Sequence, residues 1–126
     1  MTPAAAIALT GMTAATLRLT ASASNLANAQ DEAPVGAAGY QRLGVVQSPA
    51  AGGGVTATAV TLKPASFLSY DPASPAANAQ GLVDAPAIDP IAEVGAQIAA
   101  GRAFAFSLKV FQLADQTEKA LLDLKS

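Results

Sequence analysis

The chain has 126 residues, nine acidic against seven basic, for a formal net charge of −2, so it offers no basic patch of the kind nucleic-acid binding requires. It contains neither cysteine nor histidine, which removes disulfides, thiolate chemistry, the commonest general base and the commonest metal ligand. Hydrophobic residues make up 52% of it, but 32 residues are alanine and only 5% are aromatic, so one domain must be built with few large core side chains.

Residues 4–29 predict a helix with a heptad seam. Ala5, Leu9, Met12, Thr16, Leu19, Ala23 and Leu26 alternate spacings of four and three, which places them on one face. Ile7 and Leu17 lie off that face and give the helix a second contact side. The segment also ends in A-N-A, the pattern of a signal-peptidase site after Ala29. Against that reading, no Lys or Arg precedes Arg18, and Arg18 itself interrupts the apolar run. Arg18 and the many Ser and Thr residues also weigh against membrane insertion.

Asp31, Pro34, Gly36 and Gly39 mark an irregular connection. A short strand is expected over 40–46, then a loop with Pro49 and Gly52–Gly54, then a strand over 55–62 from the alternation V-T-A-T-A-V-T-L. Residues 66–70 form a further candidate strand, for two to four strands in all. Residues 71–88, with Pro72, Pro75, Gly81 and Pro86, read as an extended return segment.

From Asp89 the chain predicts one long helix to Lys125. Asp89 serves as N-cap, Pro90 takes the first helical position, Glu93 adds negative charge near the positive end, and no proline follows. At about 1.5 Å per residue this helix is roughly 50 Å long. Phe104, Leu108, Phe111 and Leu122 fall on one side of it, and Phe106, Val110, Leu113, Leu121 and Leu124 roughly opposite; Ile98 is a further packing candidate. A surface helix needs one apolar stripe, so two stripes imply neighbours on two sides. The expected fold is α+β: long N- and C-terminal helices paired in a coiled-coil-like hairpin with a small β-rich insert. Residues 1–29 with 89–126 make the helical core, and 30–88 the connecting loop and insert. Leu9, Met12, Leu19 and Leu26 are expected against one stripe, leaving Phe106, Val110 and Leu113 for neighbours, although the two faces are interchangeable at this level.

Catalysis finds little support. Ser and Thr are plentiful but have no histidine to activate them, and Ser107 and Lys109 do not face each other on a helix. The acidic residues are scattered rather than clustered for a metal. Gly52–Gly54 lacks the lysine of a phosphate-binding loop, and Asp71 and Asp84 sit among turn residues where Asp is common. No enzyme activity, cofactor, metal or small-molecule substrate is expected.

Three segments, in order, carry a resemblance. S-A-S-N-L-A-N-A at Ser22–Ala29, with Ser24, Asn25 and Asn28, resembles the asparagine motif that ends the N-terminal helix of flagellar rod and hook proteins. Y-D-P-A-S-P-A-A-N-A-Q-G-L-V-D-A-P-A-I-D-P at Tyr70–Pro90, with Tyr70, Asp71, Pro72, Gly81, Pro86 and Asp89, is similar to a stretch of the short proximal-rod subunits. A-A-G-R-A-F at Ala99–Phe104, with Arg102, is close to a signature in the C-terminal helix of the same family. Ser74, Leu82, Ala87 and Phe104 stand where the family carries a histidine, an aromatic, an asparagine and a tyrosine, and Ala105–Ser107 replace a polar triplet, so the chain resembles a divergent member.

The resemblance to the flagellar basal-body rod family implies a structural subunit that stacks helically into a periplasm-spanning rod and transmits torque from motor to hook. It implies copies of itself and other rod subunits as partners. It also implies export unfolded through the flagellar type III apparatus, without a cleaved leader. The alternative is a secreted or periplasmic binding module that loses its first 29 residues.

Overall fold

A computed structural model describes residues 1–125; Ser126, the last residue of the 89–126 segment, lies outside the described residues. The first helix, α1, spans Pro3–Ala27. Thr2 caps it, its hydroxyl accepting the Ala5 N–H at 3.2 Å, and Pro3 opens it where a missing N–H costs nothing. At the other end the Asn28 N–H reaches back to the carbonyls of Ser24 and Asn25. The second helix, α2, spans Pro90–Lys125, and Asp89 caps it by accepting the N–H groups of Ile91 at 2.9 Å and Ala92 at 3.4 Å. α2 thus begins where its cap and proline signals place it, and α1 spans Pro3–Ala27 against the expected 4–29.

The two helices run antiparallel along each other. Ser22 meets Glu93 near one end, Gly11 faces Ser107 midway, and the Met1 ammonium lies 3.7 Å from the Glu118 carboxylate near the other. With 36 residues against 25, α2 outruns its partner beyond Glu118.

The buried face of α1 differs from the expected seam. Leu9, Thr16 and Ala23 are exposed, and Met12, Leu19 and Leu26 only half-buried. The buried positions are Ala5, Ala8, Ala14, Ala15, Ala21, Ser22 and Asn25. The packed face is therefore displaced by about one residue, roughly 100° around the helix. The cause is size. A Cβ placed on Gly11 would sit 2.6 Å from Ser107 Oγ, and Ala100 of α2 is fully buried. Small side chains let the backbones approach closely and gather dispersion contacts that larger residues at these positions would block.

Strands β1 (Leu43–Pro49) and β2 (Val55–Thr61) form an antiparallel hairpin, registered from Leu43 opposite Thr61 to Pro49 opposite Val55. It lies on α1, where the Thr10 hydroxyl donates to the Ile7 carbonyl at 2.7 Å and accepts the Val55 N–H at 3.1 Å. β1 begins three residues later than expected because Tyr40 turns toward α1, and it runs on through Pro49, which needs no ladder donor at the end of an outer strand.

Strands β3 (Ser66–Tyr70) and β4 (Leu82–Pro86) form a second, separate hairpin. β4 refines the reading of 71–88 as an extended return segment, since 82–86 of it pair with β3 as a fourth strand. The intervening loop is a closed turn: Asp71 Oδ1 accepts the Ala73 N–H, and Asn78 Oδ1 accepts those of Gln80 and Leu82. Gly81 then takes φ 75°, a left-handed conformation that side chains resist, and aims the chain back along β3. Ala33 bridges the far edge of β4 through a reciprocal pair of backbone bonds with Asp84, leaving the outer edge of β3 open. Among the described residues, neither β3 nor β4 packs against a helix or against the first hairpin.

Candidate assembly site

The polar centre of the molecule is Asn25. It is almost wholly buried, and its amide is fully used. Nδ2 donates to the Leu43 carbonyl at 2.8 Å and to Glu93 Oε1 at 3.1 Å. Oδ1 accepts the Leu43 N–H at 2.8 Å and has the Tyr40 hydroxyl 3.0 Å away; that hydroxyl is also 2.9 Å from Ser24 Oγ. One side chain of α1 thereby fixes the start of β1 and the first turn of α2. The Ser22 hydroxyl adds a 2.8 Å bond to the Glu93 carbonyl. Buried polar groups are costly unless paired, and here pairing sets the register of three elements at once.

Glu93 is the buried acid of the junction, with 5% of its surface exposed. Its Oε1 takes Asn25 and lies 3.5 Å from Arg42 Nε, which is itself buried and makes no hydrogen bond. Beside this pair opens a cleft of about 170 Å³ lined by Arg18, Ser22, Arg42, Leu43, Leu62 and Glu93, among others. In the sequence Glu93 is legible only as a helix-end charge, and Tyr40 and Arg42 carry no signal, because no periodicity links residues 15 to 68 positions from Asn25 to it.

The apolar side is equally distinct. Seven of the eight buried hydrophobic residues are alanine and the other is Val83, whereas seventeen larger ones are exposed among the described residues. Phe106, Val110, Leu113, Leu121 and Leu124, one expected stripe of α2, are all exposed, Phe106 at 72% and Leu124 at 85%. Of the other stripe, Phe104, Leu108 and Phe111 are half-buried while Leu122 is exposed. Ile98 is exposed, together with Ile91 and Val94 toward the start of α2. A shallow apolar groove runs between the start of α1 and the open stripe, touching Val110, Leu113 and Leu121. Surface apolar residues are ordinary when scattered, whereas these five share one side of α2.

The remaining motif residues are placed as follows. Asn28 caps α1, with Nδ2 donating to the Ser24 carbonyl at 2.8 Å. Tyr70 is exposed at the end of β3, Asp71 closes the turn after it, and Pro72 packs beside Gly81. Pro86 ends β4 buried, Asp89 caps α2, and Arg102 is exposed. The structure thus brings Ser24 and Asn25 into one junction and leaves Arg102 outside it. No protein-family model matches the chain, and a search of curated proteins finds no match for it.

Proposed function

We propose that the chain is a structural subunit of the bacterial flagellar basal-body rod, most like the proximal-rod subunits, and that it acts by assembly rather than catalysis. The observation that carries the assembly reading is the open apolar stripe of α2 opposite a helix pair sealed by alanine and glycine. The three resembling segments supply which assembly. Burying a large apolar side chain contributes about 1.5–3 kcal/mol. Five such residues on one face of α2 therefore hold a substantial driving force that a single copy leaves unused. In this reading α1 and α2 form the coiled-coil-like core, α2 presents its free stripe to neighbouring subunits, and contacts that do not close on themselves build a rod.

The role of α1 favours this reading over a cleaved module. By length and composition Pro3–Ala27 is apolar enough to cross a membrane. Yet it carries Arg18 and the Asn25 junction, and both α2 and the first hairpin pack on it. Removal of residues 1–29 would strip both of their packing surface. The subunit would be exported by the flagellar type III route and reside in the periplasm-spanning rod beside other rod subunits. The test is a deletion strain complemented with Phe106→Asp or Leu113→Asp. Both variants are expected to block motility and rod formation while the wild-type gene restores them; normal swimming by both removes the buried-interface claim.

A further inference from the structure

We propose that the open edge of β3 pairs with β3 of a second copy of this chain, joining the two hairpins into one four-stranded antiparallel sheet. The contact closes at two copies, so it pairs free subunits and is separate from the contacts that lengthen a rod.

The backbone sets which groups are free. Asp84 commits both its N–H and its carbonyl to Ala33, so Leu68, its neighbour across the hairpin, has no ladder bond to β4. The bonds just outside the strands agree, since the Ala65 carbonyl accepts the Ala87 N–H and the Gly81 carbonyl accepts the Asp71 N–H. Alternation then turns Phe67 and Ser69 toward β4 and leaves the N–H and carbonyl of Ser66, Leu68 and Tyr70 pointing out along the open edge. The first hairpin offers less edge: Asn25 takes the Leu43 backbone, Thr10 takes the Val55 N–H, and Pro49 has none to give.

The β3 edge is complementary to itself. A two-fold axis at Leu68 sets Leu68 against Leu68 of the second copy and Ser66 against Tyr70 of the second copy. Every outward group then meets an outward group, and each such pair exchanges two bonds. A slip of one residue sets outward groups against inward ones. The next positions in the same alternation are Pro64 and Pro72, which have no N–H, so the ladder ends at the same distance on either side of Leu68. The strand carries no charge and none of the lysines that blunt natural edges. Of the flanking charges, Asp71 falls opposite Ala65 of the second copy, two residues from Lys63 of the second copy, so each end sets an acid beside a base. Phe67, Leu68 and Tyr70 are all exposed and gain neighbours in the pair. A lone two-stranded hairpin is marginal, whereas three or more strands with an apolar face can stand alone. Among the described residues, neither β3 nor β4 has a helix or the first hairpin to lean on.

Sedimentation velocity and residue-resolved hydrogen exchange test this, on the wild-type chain and on Leu113→Asp, which disables the α2 stripe. Both chains are expected to dimerise as concentration rises to about 1 mM. The Ser66, Leu68 and Tyr70 amides should slow at least about tenfold over that range, while Phe67 and Ser69 are protected throughout. Leu68→Lys opposes two like charges at the axis and should weaken the dimer at least about tenfold. Leu68→Pro removes only an outward N–H and should do the same, with circular dichroism checking that the fold is kept. Association unchanged by both Leu68 variants overturns the contact, as does exchange of the three amides that ignores concentration. If Leu113→Asp then abolishes association, the assembly reading stands without this contact. If Leu68→Lys abolishes association while Leu113→Asp changes neither association nor motility, the contact stands and the assembly reading falls. A chain monomeric at every concentration overturns the second copy as occupant and leaves an extended strand of another protein in its place.

Discussion

Replacing Asn25 with alanine should be among the most damaging single substitutions in this chain. The change removes the bonds to the Leu43 N–H and carbonyl and to Glu93, together with the approach of the Tyr40 hydroxyl. Leaving a buried polar group unpaired costs about 1–3 kcal/mol, more for a charged one. The Leu43 N–H and carbonyl and the Glu93 carboxylate all lose a partner, although Glu93 keeps Arg42 nearby. Allowing for non-additivity within one network, the expected loss is about 3–5 kcal/mol, against roughly 5–15 kcal/mol for the whole stability of a domain. Urea unfolding followed by far-UV circular dichroism measures it. With a slope of about 1.5 kcal/mol/M, the midpoint should fall by about 2–3 M. Asn28→Ala is the control, since it removes one bond at a helix end and should cost only about 0.5–1 kcal/mol. Equal small losses for the two variants would refute the view that Asn25 joins three elements.

Other substitutions separate packing from assembly. Gly11→Leu should destabilise the folded chain by about 1–3 kcal/mol in thermal unfolding, because the added side chain meets Ser107 across the close helix contact; an unchanged or higher midpoint would contradict that contact. Gly81→Ala must hold φ 75° while its Cβ meets the Tyr70 ring and Pro72, so the Asp71 amide, bonded to the Gly81 carbonyl at 2.9 Å, should exchange hydrogen faster. Exchange as slow as in wild type would argue against that turn. Phe106→Asp and Leu113→Asp lie on exposed positions and should leave unfolding free energy within about 0.5 kcal/mol of wild type while reducing self-association. A large stability loss in either would mean the stripe is packed within one copy.

The parts of the fold legible in the sequence are those set by local chemistry. Asp89 and Pro90 open α2 where their capping signals require, β2 follows its two-residue alternation to within one residue, and β3 occupies 66–70 as expected. The periodicity of large apolar residues points to the wrong face of α1, because the buried positions include Ala8, Ala15 and Ser22 and the close approach to α2 is at Gly11, all valuable for their smallness. β4 was hidden because Asp84 and Pro86 are poor strand formers, and it is held by pairing on both edges, to β3 and to Ala33. The resemblance marked Asn25, but its partners Tyr40, Leu43 and Glu93 come together only through the tertiary fold.

The central claim, that this chain is a rod subunit, is tested most directly by mass spectrometry of purified flagellar basal bodies from the encoding organism. The chain is expected there, in a fixed ratio to the other rod subunits and with residues 1–29 retained. Basal bodies that form a complete rod without it, or a mature protein beginning at Gln30 and found only free in the periplasm, would contradict the claim.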